Sequence, residues 1–155
     1  MSASSNSPIC VDQALFLTAP DGADTYTWTG PDNFVSNEQN PILDNLNTTS
    51  AGTYTLEVTF GDCVSETTTE VEIGSTLAAT IEGESNICMG STLSLTITEG
   101  TNFEWSGPSG FTATSREIIV NDIGFSNAGV YTVIATNDVG CSTTCLLYTS
   151  DAADE

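Results

Sequence analysis

The sequence predicts an all-β fold made twice over: two tandem β-sandwiches at residues 1–74 and 77–144, the second cut short near its last strand. Three observations carry that expectation. The segment Ser50-Ala51-Gly52-Thr53-Tyr54-Thr55-Leu56-Glu57-Val58-Thr59 places Tyr, Leu and Val at every second position, the period of a strand with one buried face. It returns as Asn127-Ala128-Gly129-Val130-Tyr131-Thr132-Val133-Ile134-Ala135-Thr136. The whole chain repeats around it: Cys10 and Cys88 lie 78 positions apart, as do Cys63 and Cys141, while Trp28–Trp105 and Tyr54–Tyr131 lie 77 apart. Units of about 70–78 residues are small, yet able to bury a sandwich core.

Residues 1–8 are small and polar and read as a frayed entry. Ile9-Cys10-Val11-Asp12-Gln13 leads into a strand over 14–19, and Asp21-Gly22-Ala23-Asp24 turns the chain. The strand Thr25-Tyr26-Thr27-Trp28-Thr29 keeps Tyr26 and Trp28 on one face. Gly30-Pro31-Asp32-Asn33-Phe34 is a turn with an apolar anchor, followed by a polar stretch to Asn40. Pro41 to Leu46 offers a strand with Leu43 and Leu46 inward. The Tyr54 strand then runs to Phe60, Gly61-Asp62 turns, and a Thr-rich strand runs from Cys63 to Ile73. Gly74-Ser75-Thr76 is too short a joint to allow much hinge freedom. The second unit repeats the order through Leu77–Ile81, Cys88-Met89-Gly90, Leu93–Ile97, Phe103–Trp105, Gly107–Phe111 and Ile118–Ile123. No segment carries a helical period. The expected cores are Trp28, Leu43, Leu46, Tyr54 and Leu56 in one unit, and Trp105, Val120, Ile123, Tyr131 and Val133 in the other.

The last eleven residues, 145–155, resemble the translation of a sequencing-library transposase adapter and are set apart from functional reasoning. The second unit then lacks counterparts of Val71 and Ile73. Leu146, Leu147 and Tyr148 are apolar enough to cover the open strand edge in their place, with residues 151–155 trailing into solvent.

One basic residue stands against 21 acidic ones, with no His, for a net charge of −20. Such a chain repels phosphate backbones and anionic membranes, which excludes nucleic-acid binding. No apolar run is long enough for a bilayer, and Met1-Ser2-Ala3-Ser4-Ser5-Asn6-Ser7-Pro8 has neither the basic start nor the apolar run of a signal peptide. An export signal is therefore expected outside this stretch. Two matched cysteines per unit point to an oxidising, extracytoplasmic setting.

Catalysis is not expected. With no His and no Lys, the usual general-base and Schiff-base residues are missing. No Ser sits in Gly-x-Ser-x-Gly. Glu57, Glu70 and Glu72 fall on outward strand positions and Asp21, Asp24 and Asp62 in turns, where solvated carboxylates are the rule. No cofactor or metal is expected, with Ca²⁺ near Asp21 and Asp24 the minor alternative. Asn47-Thr48-Thr49 reads as a turn rather than a glycosylated sequon. Trp28, Trp105, Tyr26 and Phe103 read as cores rather than a sugar-binding platform.

The Ala-Gly-x-Tyr start of each long strand resembles the tyrosine corner of immunoglobulin-like sandwiches, and Trp28 and Trp105 fit their buried Trp. Leu56 and Val133 stand where antibody domains carry a Cys, so aliphatic packing replaces the inter-sheet disulfide. Each sandwich is thus expected to be immunoglobulin-like. A longer string resembles the Ig-like repeats of very large Bacteroidetes surface proteins, the adhesins and gliding-motility-associated proteins. It runs Cys88-Met89-Gly90-Ser91-Thr92-Leu93-Ser94-Leu95, Phe103-Glu104-Trp105, Gly107-Pro108-Ser109-Gly110-Phe111, then Ala128-Gly129-Val130-Tyr131-Thr132-Val133. The first unit departs at Asp12 and at Asp32-Asn33. The resemblance implies a spacer or weak multivalent binder on a bacterial cell surface, its partners neighbouring repeats and surface glycans or proteins. The alternative is an accessory module of a secreted polysaccharide-degrading enzyme.

For the cysteines, two arguments disagree. Equal separations of 53 suggest Cys10–Cys63 and Cys88–Cys141. The immunoglobulin plan instead puts Cys10 and Cys88 at one end of a sandwich and Cys63 and Cys141 at the other, about 20 Å away, too far for a disulfide. That argument favours Cys10–Cys141 between repeats, with Cys63 and Cys88 facing repeats beyond this stretch.

Overall fold

The computed structural model describes residues 1–151 as strands, turns and four three-residue 3-10 helices, and it divides into two compact units between Thr76 and Leu77.

The first unit contains β1 (Ser4–Ser5), β2 (Ile9–Cys10), β3 (Leu15–Thr18), β4 (Thr25–Gly30), β5 (Phe34–Ser36), β6 (Ile42–Leu43), β7 (Gly52–Phe60), β8 (Cys63–Val71) and β9 (Ile73–Gly74). One antiparallel sheet has the order β5-β4-β7-β8 and a second the order β1-β3-β6, while β2 pairs in parallel with β9. Trp28 stands opposite Leu56, and Tyr26 opposite Val58. Alternation then sends Trp28, Tyr54, Leu56 and Val58 inward, where they meet Leu15 and Leu17. Leu43 and Leu46 pack against this core half-buried.

Two expectations are corrected here, and one short strand is added. Residues 1–8 are not frayed: Ser4 and Ser5 pair with Thr18 and Leu17, and the Asn6 side chain donates to Ala14 O and accepts from Phe16 N. Within the polar stretch after the Gly-Pro turn, to which the sequence assigns no element, β5 pairs with β4. The last strand is not continuous to Ile73. It breaks at Glu72, whose carbonyl accepts from Ile9 N at 3.1 Å and whose N–H donates to Ser7 Oγ at 2.7 Å, handing the chain to β2.

The second unit contains β10 (Ile81–Gly83), β11 (Asn86–Ile87), β12 (Leu93–Ile97), β13 (Asn102–Ser106), β14 (Thr112–Ala113), β15 (Glu117–Val120), β16 (Gly129–Thr136) and β17 (Ser142–Asp151). Its sheets run β11-β17-β16-β13-β14 and β10-β12-β15. Trp105 faces Val133 across β13 and β16, as Trp28 faces Leu56. Ile87, Leu93, Leu95, Ile97, Phe103, Ile118, Ile123, Tyr131 and Ala135 complete the core, with Val120 half-buried against it. The first strand begins at Ile81, not Leu77.

The strand edge beside β16 is covered. β17 pairs with it over eight positions, from Thr136–Ser142 to Gly129–Thr149, and ends in parallel against β11. Leu147 and Cys145 turn toward the core, Thr149 is fully buried, and Leu146 and Tyr148 stay 67 % exposed. The expectation for residues 152–155, and for the side chain of Asp151, lies outside the described residues.

Candidate functional site

What the two units share is a packing site at the start of the long strand. In each, a Gly-Pro turn arches over the Tyr of the corner. An added Cβ at Gly30 would sit 2.5 Å from the Tyr54 ring, and one at Gly107 2.8 Å from Tyr131. No real Cβ approaches so closely, so only Gly fits there. Pro31 and Pro108 then cover Gly52 and Gly129, whose φ values of 139° and 146° also demand Gly. The anchor Phe completes the cluster, with ring centroids 5.7 Å apart for Phe34–Tyr54 and 5.8 Å for Phe111–Tyr131, both tilted as aromatic pairs prefer. The phenol hydroxyls donate back four residues, Tyr54 to Ser50 O and Tyr131 to Asn127 O, both at 2.9 Å. Each indole donates across to the opposite loop, Trp28 to Gln39 O at 3.1 Å and Trp105 to Ser115 O at 2.7 Å.

The polar layer over this cluster differs between units. In the first, the Asp32 carboxylate accepts from Thr49 Oγ1 at 2.9 Å and from the buried Ser50 Oγ at 2.8 Å. Asn47 caps the same short helix through Thr49 N at 2.8 Å, so the sequon asparagine is engaged in the turn. Burial, and secondarily the Asp32 charge, push the Tyr54 pKa above its ordinary value. A cleft of about 430 Å³ opens beside the cluster, lined by Pro31, Asp32, Phe34, Leu43, Asn45 and Asn47 among others. In the second unit Ser109 takes the place of Asp32 and donates to Ser126 O at 2.9 Å, while Asn127 Oδ1 accepts from Gly124 N at 2.8 Å. Tyr131 is raised by burial alone. Spacing exposed the Gly-Pro and Tyr motifs as repeats. Their contact was not legible because the turn glycine carries no side chain to signal burial, and the acceptor role of Asp32 because a turn carboxylate has no period.

The other expected positions are as follows. Asp21 Oδ1 accepts from Gln39 Nε2 at 2.7 Å and Asp24 Oδ2 from Gly61 N at 2.6 Å, so each carboxylate ties its turn to a loop distant in sequence. No group of three His, Cys, Asp or Glu among the described residues could hold a metal ion. No helix among them is long and apolar enough to cross a membrane. A groove of about 610 Å³ lies on the second unit, lined by Glu104, Ser106, Thr112, Thr114, Thr132 and Ile134 among others. Arg116, the single basic residue, donates to the carbonyls of Ile97, Thr98 and Gly100 and lies 5.0 Å from the centre of the Phe103 ring. Cys10 and Cys141 are disulfide-bonded, while Cys63, Cys88 and Cys145 are free. Neither bridge suggested by equal spacing, Cys10–Cys63 or Cys88–Cys141, is formed.

Strand order, the inward Trp and the Tyr hydroxyl reaching back four residues define an immunoglobulin-like all-β fold. Residues 74–148 match the family model of the PKD-like domain. Among solved structures the chain is similar to murine CEACAM1b, at TM-score 0.57 and 13 % identity over 97 % of this chain and 98 % of that one. It is similar to a chain of the mouse coronavirus receptor-binding domain complexed with its murine receptor, at TM-score 0.59 and 12 % identity over 96 % and 98 %. The amphioxus IgVJ-C2 molecule follows at TM-score 0.50 and 16 % identity over 90 % and 97 %. At these identities the likeness is one of fold. No curated protein sequence matches the chain.

Proposed function

We propose that the chain is a structural or adhesive module of a large bacterial cell-surface protein, two tandem Ig-like sandwiches acting as a spacer or a weak multivalent binder. One observation carries this reading: the 77-residue correspondence falls on packing positions, while the polar groups above them are exchanged. Trp28 and Trp105, Tyr54 and Tyr131, Gly30 and Gly107 keep their roles, but the carboxylate of Asp32 becomes the hydroxyl of Ser109. A repeat that retains its scaffold and not its surface chemistry suits an array, where stacked modules set a distance and multiply weak contacts. Its partners on this reading are neighbouring repeats, with surface glycans or proteins as ligands, and its setting is extracellular. No cofactor or metal is part of the proposal. The −20 charge keeps such an array soluble and discourages collapse onto anionic lipid. Long-read sequencing of the parent gene tests it. Further units with the Cys, Trp, Gly-Pro and Gly-x-Tyr order are expected; an isolated pair beside a polysaccharide-hydrolase domain would contradict it.

A further inference from the structure

We infer that the open edge of β8 docks a second copy of this chain, whose own β8 adds antiparallel across a two-fold axis at Thr67. The inference concerns the first unit alone and does not depend on the spacer reading. β8 pairs with β7 on one side, in a register unbroken from Phe60–Cys63 to Gly52–Val71. Backbone groups along a strand point by turns to one neighbour and to the other. Thr59 O accepts from Asp24 N at 2.8 Å, so the odd residues of β7 serve β4 and the even ones serve β8. The even residues of β7 oppose the odd residues of β8, from Cys63 to Val71. The N–H and C=O groups of Val64, Glu66, Thr68 and Glu70 therefore point outward. Glu72, next in that outward series, shows what the edge takes: its carbonyl accepts from Ile9 N at 3.1 Å and its N–H donates to Ser7 Oγ at 2.7 Å. The four before it have no backbone partner on that side among the described residues, and their side chains are exposed.

The charge pattern along this edge selects the occupant. Open edges are usually blunted by Pro, Lys or a bulge. Cys63-Val64-Ser65-Glu66-Thr67-Thr68-Thr69-Glu70-Val71 has none of these, only two glutamates in a Thr- and Val-rich run of high strand propensity. Two antiparallel copies crossing at Thr67 set Val64 against Glu70 and Glu66 against Thr68. Every outward group of residues 64–70 then finds a partner, and no carboxylate in that span faces another. A slip of one residue sets outward groups against inward ones. A slip of two opposes Glu66 to Glu66 or Glu66 to Glu70, and like charges directly opposite destabilise a strand pair. Larger slips leave at least half of the edge unpaired. The edge is thus self-complementary in one register, as a two-fold contact requires, and the main chain supplies the bonds as in other strand additions.

The test uses the full chain with Cys63→Ser, Cys88→Ser and Cys145→Ser, which keeps the bond between Cys10 and Cys141. It is held with oxidised glutathione in about 1 M salt, where a Debye length of about 3 Å screens repulsion between acidic copies. At the axis position 67 faces itself in a non-hydrogen-bonded pair, with Cα atoms about 4.5 Å apart, within disulfide range. Thr67→Cys should therefore give a disulfide-linked dimer as its main product, rising with protein concentration. Ser65→Cys and Thr69→Cys should each remain glutathione adducts alone and cross-link when mixed. Thr68→Pro removes an outward N–H while leaving the bonds to β7, and should cut the Thr67→Cys dimer yield by about tenfold or more. If circular dichroism shows that variant unfolded, Thr68→Lys gives the second reading. It faces Glu66 of the other copy and should raise the yield at low salt, less so at high salt. No cross-link from Thr67→Cys, equal cross-linking from all three single cysteine variants, or a yield unmoved by both Thr68 substitutions would overturn the inference. Those results leave the spacer reading standing, because that reading falls only with the gene context.

Discussion

The two units solve one packing problem with different surface chemistry. In the first, an aspartate at φ 55° reaches from the Gly-Pro turn to two hydroxyls of the facing short helix. In the second, a serine at φ 57° spans the same gap with one bond to a backbone carbonyl. The left-handed residue is common to both, so the path of the turn is set by the backbone and by the ring beneath it. The last strands make the same point. Val71 and Thr149 occupy matching positions opposite Gly52 and Gly129, and both are buried. Thr149 manages this by donating to Gly129 O at 3.1 Å and accepting from Gly129 N at 3.2 Å, as a buried hydroxyl must. Shape at these positions is fixed, whereas polarity is negotiable wherever a hydrogen-bond partner is near.

If that is right, the largest effects should be equal in both units. Trp28→Ala and Trp105→Ala each remove a buried indole, 0 % and 2 % exposed, and should each cost about 3–5 kcal/mol in chemical denaturation. Such a loss is a large share of a small domain's stability.

Gly30→Ala and Gly107→Ala come next, at about 1–3 kcal/mol each, because the new methyl drives into a ring that cannot leave its pocket. The tighter approach at Gly30 predicts the larger loss there. Equal tolerance of Ala at both positions would refute the arch.

The polar layer should break the symmetry. Asp32→Asn weakens charge-assisted bonds to Thr49 and Ser50, whereas Ser109→Ala deletes one neutral bond, and both sites are exposed enough for solvent to compensate. Losses of about 1 kcal/mol or less are expected, larger in the first unit, from paired thermal melts.

The smallest effect is alkaline. Tyr54 and Tyr131 have folded pKa values raised above an unfolded value near 10, so their contribution is fully present below that value and is lost as pH rises through the folded pKa. Stability should fall above about pH 10. Tyr54→Phe should remove the first unit's share and Asp32→Asn should reduce it, since that carboxylate supplies part of the shift.

The sequence carried the periodic apolar signal well. Trp28, Tyr54 and Leu56, like Trp105, Tyr131 and Val133, alternate with polar neighbours on long strands, and burial follows directly. Short pairings were harder to read. β1 and β5 hold two and three residues, too few for a period, and beyond β1 the pairing is continued by the side chain of Asn6. The crossing at Glu72 was hidden because strand propensity continues through Val71-Glu72-Ile73, and only the serine and isoleucine of a distant segment divert it. Cysteine pairing was equally opaque to spacing, because equal intervals record the repeat and say nothing of which thiols meet.

The central claim is that each unit holds its own core, organised by its own Trp, Tyr and Gly-Pro arch. Native-state hydrogen exchange on Trp28→Ala tests it most directly. Amides of Leu56 and Val58 should lose protection while those of Val133 and Ala135 keep it, and Trp105→Ala should give the mirror result. Loss of protection in both units from either single substitution would contradict the claim.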